Sequence, residues 1–191
     1  PPNLFHEDFF VWDKGNPHRK FDYVIGNPPF GASLDKSLVD SSRILSGESF
    51  SYFVEAGYKR LKEKGLFRYL VPESLLNVRK HADVRRFILE DTTLNRIKKY
   101  PSKFSGVMSD LYLVELVPKT SQKNFIFESD GINRIPLKMI QKIQHQVFVD
   151  YTAQDIAILE KVEKLRREDL SRSVFGLGVV TGDNKTKLVK E

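Results

Sequence analysis

Apolar and polar positions alternate along the chain in a way that predicts short strands separated by helices. Phe21–Gly26 is a short, largely apolar run and predicts a buried strand. Two prolines directly after it end that strand, because proline has no backbone N–H to donate. Similar runs predict strands at residues 66–71, 94–100 and 111–117.

Two segments between these runs predict helices. From Phe50 the apolar residues recur every three or four positions, which predicts a helix ending near Gly65. Ala82–Asp91 predicts a second helix between two strands. Strands that alternate with helices are typical of the α/β class, with a doubly wound, mostly parallel sheet.

The pattern changes after residue 120. Lys123–Phe127 predicts an edge strand, and residues 131–136 are interpreted as a break. Thr152–Arg167 predicts a charged helix, and a run at residues 175–189 predicts a strand that turns back on itself. Residues 31–48 are rich in Gly, Ser and Asp and predict a long mobile loop, a length typical of lids.

Composition excludes several classes of protein. The 191 residues are 40% hydrophobic and carry a net charge of +6, so collagen-like and disordered chains are excluded and an anionic partner is plausible. The chain has no cysteine, which excludes disulfides and thiolate chemistry and favours a reducing, cytoplasmic setting. No run approaches the roughly 18 apolar residues of a membrane helix. We expect no metal site, because the four histidines are scattered: His6, His18, His81 and His145.

Basic residues cluster twice, and each cluster has two interpretations. They either bind phosphates or lie on a solvated surface. The clusters are Arg79, Lys80, His81, Arg85 and Arg86, then Arg96, Lys98, Lys99 and Lys103.

The segment with candidate chemistry follows the first predicted strand. It reads Asn27-Pro28-Pro29-Phe30, at the carboxyl end of that strand, where open α/β sheets bind their ligands. An Asn-Pro turn also closes many strands without any further role. The flanking residues decide between these interpretations.

Taken with Asp8-Phe9, this segment resembles the γ-class adenine-N6 DNA methyltransferases of bacterial restriction-modification systems. Their signature is an Asp-Phe pair, then a strand, then Asn-Pro-Pro-Phe or Asn-Pro-Pro-Tyr. Three further segments are similar to the same family: Gly65–Ser74, Phe104–Val107 and Val179–Asn184. The resemblance therefore extends over nearly the whole chain.

The resemblance implies a role for each residue of the signature. The Asn27 side-chain oxygen and the Pro28 carbonyl would accept the two hydrogens of the target amine, with Pro28 and Pro29 fixing the backbone. Phe30 would stack on a base flipped out of the duplex. Asp8, with Phe9 beside it, would bind the adenine amine of S-adenosylmethionine. The alternative for Asp8 is a solvated carboxylate at the end of a strand.

The resemblance also implies how the chain is organised. Residues 1–130 would be the C-terminal half of a Rossmann-like class I methyltransferase domain, 131–170 a connecting segment with a helix, and 171–191 the start of a target-recognition region. The Gly-rich cofactor loop would precede residue 1. We therefore expect an internal fragment that is inactive alone, with double-stranded DNA and a nuclease, specificity subunit or fused domain as partners.

Other functions fit the same turn. RNA guanine-N2 and protein glutamine-N5 methyltransferases also use Asn-Pro-Pro before an aromatic residue. A non-catalytic DNA-binding or specificity fragment is a third possibility, in which the turn is only a scaffold.

Overall fold

The computed structural model describes residues 4–45, 48–100, 110–121, 123–142, 148, 150–165 and 173–174. The chain divides into two compact units, Pro1–Ala153 and Gln154–Glu191. The predicted strand at 175–189 and the segments Phe104–Val107 and Val179–Asn184 lie outside the described residues.

Six helices and six strands are described, with short 3₁₀ turns at Lys36–Leu38 and Arg79–His81. The helices are α1 (Phe9–Gly15), α2 (Ser49–Lys59), α3 (Ser74–Asn77), α4 (Ala82–Asp91), α5 (Leu137–Lys142) and α6 (Ala153–Leu165). The strands are β1 (Phe21–Gly26), β2 (Leu61–Pro72), β3 (Thr93–Tyr100), β4 (Leu111–Val117), β5 (Asn124–Glu128) and β6 (Ile132–Pro136).

The six strands form one sheet in the order β1-β2-β4-β3-β5-β6. β1 is parallel to β2 and β3 to β5, whereas β4 lies antiparallel between β2 and β3, and β6 is antiparallel to β5. Four strands, β1, β2, β3 and β5, therefore run in one direction. The predicted α/β class is confirmed, but the described sheet is mixed and not mostly parallel, because three of its five strand pairings are antiparallel. The sequence pattern does not distinguish the two reversed strands.

The core lies between the sheet and helices α2 and α4. Phe67 and Val71 of β2 are fully buried there, as are Val84 and Ile88 of α4. On the opposite face, Ile25 pairs in register with Arg68, and its side chain is 71% exposed. The burial of alternate β2 residues follows from the period of two in a strand.

The predicted helix from Phe50 to Gly65 is too long, because α2 ends at Lys59 and β2 begins at Leu61. Pairing with β1 accounts for the difference. The Phe21 amide donates to the Arg60 carbonyl at 2.8 Å, and Leu61 pairs with Phe21. The Arg60 side chain holds the segment before β1 through Asp13 and the carbonyls of Asn16 and Pro17. Long-range pairing thus overrides the helical spacing.

The interpretation of residues 131–136 as a break is wrong, because β6 occupies 132–136 and pairs with β5. The strand predicted at Lys123–Phe127 is therefore not an edge strand, since β5 lies between β3 and β6. Asp130-Gly131, between the two strands, is a dipeptide typical of hairpin turns. That signal favours a hairpin between the apolar run before it and the two isoleucines, Ile132 and Ile135, after it.

By contrast, β1, α4 and β4 have the predicted bounds. The prediction that β1 is buried is wrong, because β1 is the first strand in the described sheet, and Tyr23 and Ile25 are 69% and 71% exposed.

Candidate active site

The acceptor turn, residues 27–30, leaves β1 at its carboxyl end. Pro28 is buried, whereas Asn27, Pro29 and Phe30 are exposed. Pro72 of β2 and Tyr100 of β3 both pair with Leu111, the first residue of β4, so these strands end at the same edge of the sheet. The amide side chain of Asn27 is therefore open to a ligand at the edge where such folds bind one.

The second half of the turn is fixed by a hydrogen bond and followed by a glycine. The Ser49 hydroxyl donates to the Pro29 carbonyl at 2.7 Å. Gly31 follows with φ +68°, a left-handed conformation in which a side chain would be strained. The chain can therefore turn sharply away after Phe30.

Asp8 lies at the start of α1, where it caps the helix. Its Oδ1 accepts the amides of Phe10 at 2.8 Å and Val11 at 3.2 Å. The alternative of a solvated strand-end carboxylate is wrong about the strand, because residues 4–7 before Asp8 form no strand and Asp8 caps a helix. The side chain is exposed, and a carboxylate has about four acceptor positions, so it retains acceptors for a ligand amine.

Helix α2 contacts both groups of predicted site residues. Phe53 stacks on Phe9 with ring centroids 5.1 Å apart, and it meets Phe10 edge-on at 4.6 Å. Phe50, one turn earlier, meets Phe30 at 6.3 Å with the rings almost perpendicular. Residues three apart share a helix face, so one face of α2 joins the predicted cofactor residues to the acceptor turn.

The supporting roles of these α2 residues could not be predicted from the sequence. The spacing of Phe50 and Phe53 indicated only a core-facing helix side, which is the ordinary role of such aromatics. No sequence signal identifies Ser49, because its partner Pro29 is brought to it by the fold.

A buried histidine lies behind Phe50. The rings of Phe50 and His81 are 4.9 Å apart, and His81 is 1% exposed. Burial lowers the pKa of His81, because the charged imidazolium loses its hydration. Within the described part of the chain, its Nδ1 has no hydrogen-bond partner.

Both interpretations of the first basic cluster fail for Arg85 and His81, which are buried. Arg85 donates to the carbonyls of Leu75 at 2.8 Å and Val78 at 2.9 Å, and burial lowers its pKa. It holds α3 against α4 and cannot bind a phosphate there. Arg79, Lys80 and Arg86 are exposed.

The second basic cluster has acidic partners within the chain. Arg96 and Lys98 lie 3.4 and 3.3 Å from Glu128, and Lys99 lies 2.7 Å from Asp110. Lys103 lies outside the described residues. These pairs favour a structural, solvated surface over phosphate binding.

The loop after the turn is tied to the helices in its second half. Ile44 is buried, and the Ser41 hydroxyl bonds to the carboxylate of Glu55 in α2. The Leu45 amide donates to Asp83 of α4 at 2.9 Å. A lid, if formed by this loop, is confined to the residues before Ser41, and it stays a prediction.

The described residues contain neither a metal-binding cluster nor a membrane-spanning helix. In the part of the chain that the structure describes, no group of three His, Asp or Glu side chains is arranged to hold a metal. None of the described helices combines the length and apolarity needed to cross a membrane.

Comparison with known proteins identifies related methyltransferases. The family model of the Eco57I restriction-modification methylases matches residues 2–105. The type II methyltransferase M.VspI of Vibrio sp. (strain 343) is 25% identical over 178 residues, which cover 87% of this chain and 43% of that protein. The modification methylase CviBIII of Paramecium bursaria Chlorella virus NC1A is 31% identical over 91 residues, 46% of this chain and 22% of that protein.

Solved structures show the same fold. A chain from a type I restriction-modification system superposes with a TM-score of 0.65 at 16% identity, over 86% of this chain and 47% of that chain. This chain thus spans less than half the length of each of these relatives. The resemblance stated from the sequence is confirmed at the level of family and fold.

Proposed function

Because the chain belongs to the Eco57I restriction-modification methylase family, we propose that it holds the methyl acceptor in S-adenosylmethionine-dependent methylation of adenine N6 in duplex DNA. The observation that carries the proposal is the acceptor turn at the carboxyl end of β1, in which Asn27, Pro29 and Phe30 are exposed and Pro28 is buried.

The chemistry of the amine explains why acceptors are needed. The lone pair of an exocyclic base amine is delocalised into the ring, so the nitrogen is a poor nucleophile. Acceptors placed on both of its hydrogens favour a pyramidal nitrogen with a localised lone pair. The Asn27 side-chain oxygen and the Pro28 carbonyl supply them in the proposal, and the fixed φ of proline directs that carbonyl. The remaining catalytic contribution is positioning for in-line methyl transfer.

A base in a duplex must leave the stack to reach this turn. Unstacking and unpairing cost a few kcal/mol, which an aromatic side chain partly offsets. Phe30 is 36% exposed while its ring rests against Phe50, so it has a free surface and a fixed support. These two properties suit a side chain that stacks on a flipped base.

The residues at the start of α1 fit the cofactor. S-adenosylmethionine presents an adenine amine, and the exposed Asp8 carboxylate retains acceptor positions beside its helix cap. Phe9 is half-buried against Phe53, and its ring lies 6.3 Å from that of Trp12. The cofactor supplies an electrophilic methyl group, and these residues would hold its adenine end.

The proposal extends to partners and setting. We propose that double-stranded DNA binds at the same sheet edge as the turn, in a protein that modifies DNA in the cytoplasm as part of a restriction-modification system. A nuclease, a specificity subunit or a fused domain would complete that system. M.VspI and CviBIII are named as a methyltransferase and a modification methylase, which supports this assignment.

The test is to identify the methylated product. The complete protein that contains this chain is incubated with methyl-labelled S-adenosylmethionine and duplex DNA, RNA or protein, and the digested products are analysed by mass spectrometry. We expect a methylated product only in the reaction with DNA, and we expect that product to be N6-methyladenine. Methylguanine from RNA or methylglutamine from protein would reassign the substrate. DNA binding without methyl transfer would favour a non-catalytic specificity fragment.

A further inference from the structure

The first turn of α2 makes a contact that helix capping does not explain. A serine at a helix start ordinarily accepts an amide of its own helix. Glu48 precedes α2 without a side-chain cap, and the hydroxyl of Ser49 instead donates across the fold to the Pro29 carbonyl at 2.7 Å. Ser49 is only 4% exposed, so little water is available to replace that bond.

The next residue supports the same part of the turn. Phe50 is fully buried, with the edge-on contact to Phe30 on one side and His81 on the other. Two consecutive residues of α2 therefore hold the backbone and the ring of the predicted base-stacking segment. Ser49 and Phe50 themselves would not touch the base; they act on the turn residues that do.

We infer that Ser49 is a positioning residue for the target base. Its hydrogen bond fixes the carbonyl of Pro29, and hence the peptide plane between Pro29 and Phe30. That plane sets the direction of the Phe30 ring relative to the acceptors of Asn27 and Pro28. The inference rests on the proposed function. It matters because reacting groups displaced by about 1 Å can lower the rate substantially.

Ser51 provides a matched control in the same helix. It is fully buried, and no described residue accepts or donates a hydrogen bond at its hydroxyl. Ser49→Ala and Ser51→Ala thus remove the same atom from neighbouring buried positions, and only the first removes a bond to the turn.

The experiment compares these variants in the complete protein. We expect Ser49→Ala to lower kcat about tenfold or somewhat less, the size expected for one neutral hydrogen bond. The fluorescence rise of 2-aminopurine at the target position should shrink, whereas the Kd for S-adenosylmethionine should not change. Ser51→Ala should match the parent in kcat, in the fluorescence rise and in the Kd for S-adenosylmethionine. Ser49→Cys, nearly isosteric with a weaker donor, should give intermediate values.

Several results would overturn the inference. Unchanged kcat and fluorescence in Ser49→Ala would do so, and so would equal losses in the two alanine variants. If Ser49→Ala does not fold, Ser49→Cys is tested in its place. A kcat and a fluorescence rise equal to those of the parent in Ser49→Cys would then overturn the inference. Asn27→Ala separates this inference from the proposed function. Retained turnover there refutes the function, whereas an inactive Asn27→Ala with a normal Ser49→Ala refutes only the role of Ser49.

Discussion

Phe30 is the residue whose role can be tested without abolishing chemistry. Replacing Phe30 with Ala removes the ring but leaves both proposed acceptors, so a flipped base loses its stacking partner. We expect a smaller fluorescence rise from 2-aminopurine at the target base, with a loss of about 1–3 kcal/mol in trapping. Phe30→Tyr keeps the ring and serves as the control. A full fluorescence signal in Phe30→Ala would contradict stacking.

His81 predicts a pH dependence of stability. The folded pKa of His81 lies below the unfolded value near 6.5 because burial penalises the charged form. The facing charges of Lys80 and Arg85 also lower the pKa, whereas those of Glu48 and Asp83 raise it. Below about pH 6.5 the unfolded chain binds a proton that the folded chain does not. Stability is therefore lost as the pH falls from 6.5 toward the folded pKa.

The measurement compares the parent with His81→Phe, which keeps a ring against Phe50 and does not titrate. When the pH is lowered from 7.5 to 5.5, we expect the Tm of the parent to fall further than the Tm of the variant. The slope of the unfolding free energy against pH should differ between the two proteins by at most about 1.4 kcal/mol per pH unit. Equal slopes would show that His81 has the same affinity for a proton in both states.

At the scale of elements, α2 is packed closely enough that one added methyl group should be harmful. A Cβ at Gly57 would lie 2.6 Å from the Tyr69 hydroxyl and 3.1 Å from Phe67. Tyr69 cannot move away easily, because it is 6% exposed and its ring centroid lies 4.2 Å from that of Phe67. Burial raises the pKa of Tyr69 to about 12, so its hydroxyl stays neutral in this packing.

Gly57→Ala should therefore destabilise the fold by about 1–3 kcal/mol in a denaturant titration. In an open helix the same change stabilises by roughly 0.5–1 kcal/mol, because glycine loses more backbone entropy on folding. Gly15→Ala in α1 is the control, since a Cβ there meets nothing within 4 Å. A Gly57→Ala variant more stable than the parent would refute the packing argument.

The elements also show which sequence signals were sufficient. β1, α4 and β4 were predicted with correct bounds because their apolar patterns are bounded by prolines, charges or polar turns. The end of α2 could not be predicted correctly, because it is determined by the pairing between β1 and β2. Propensity and periodicity describe a segment alone, so they cannot include a partner that is 40 residues away in the chain.

For the molecule as a whole, the family and α/β class could be predicted because the signature residues lie in a contiguous stretch. The arrangement of the site could not. The position of the acceptor turn relative to Asp8 depends on α2, whose Phe50 and Phe53 touch each part. The placement of antiparallel β4 between β2 and β3 likewise depends on a long-range pairing. The division of the chain into a methyltransferase part, a connecting segment and a target-recognition region, at residues 130 and 170, stays a prediction.

The central claim is that Asn27 holds the amine that receives the methyl group. Asn27→Ala removes one acceptor and should leave the surface of the sheet edge otherwise intact. Asn133→Ala is a matched control, because Asn133 lies on β6, the last strand in the order of the sheet, whereas the acceptor turn follows β1, the first. Its amide donates to Asp150 at 2.6 Å, so its loss should affect stability only.

The most direct measurement is the single-turnover rate of methyl transfer to duplex DNA by the complete protein, beside its affinities for DNA and S-adenosylmethionine. We predict that Asn27→Ala lowers the rate by about 10²-fold or more, as losses of aligned hydrogen-bonding groups do. Both affinities should stay within a few-fold of the parent. A parental rate in Asn27→Ala, with Asn133→Ala equally active, would contradict the account.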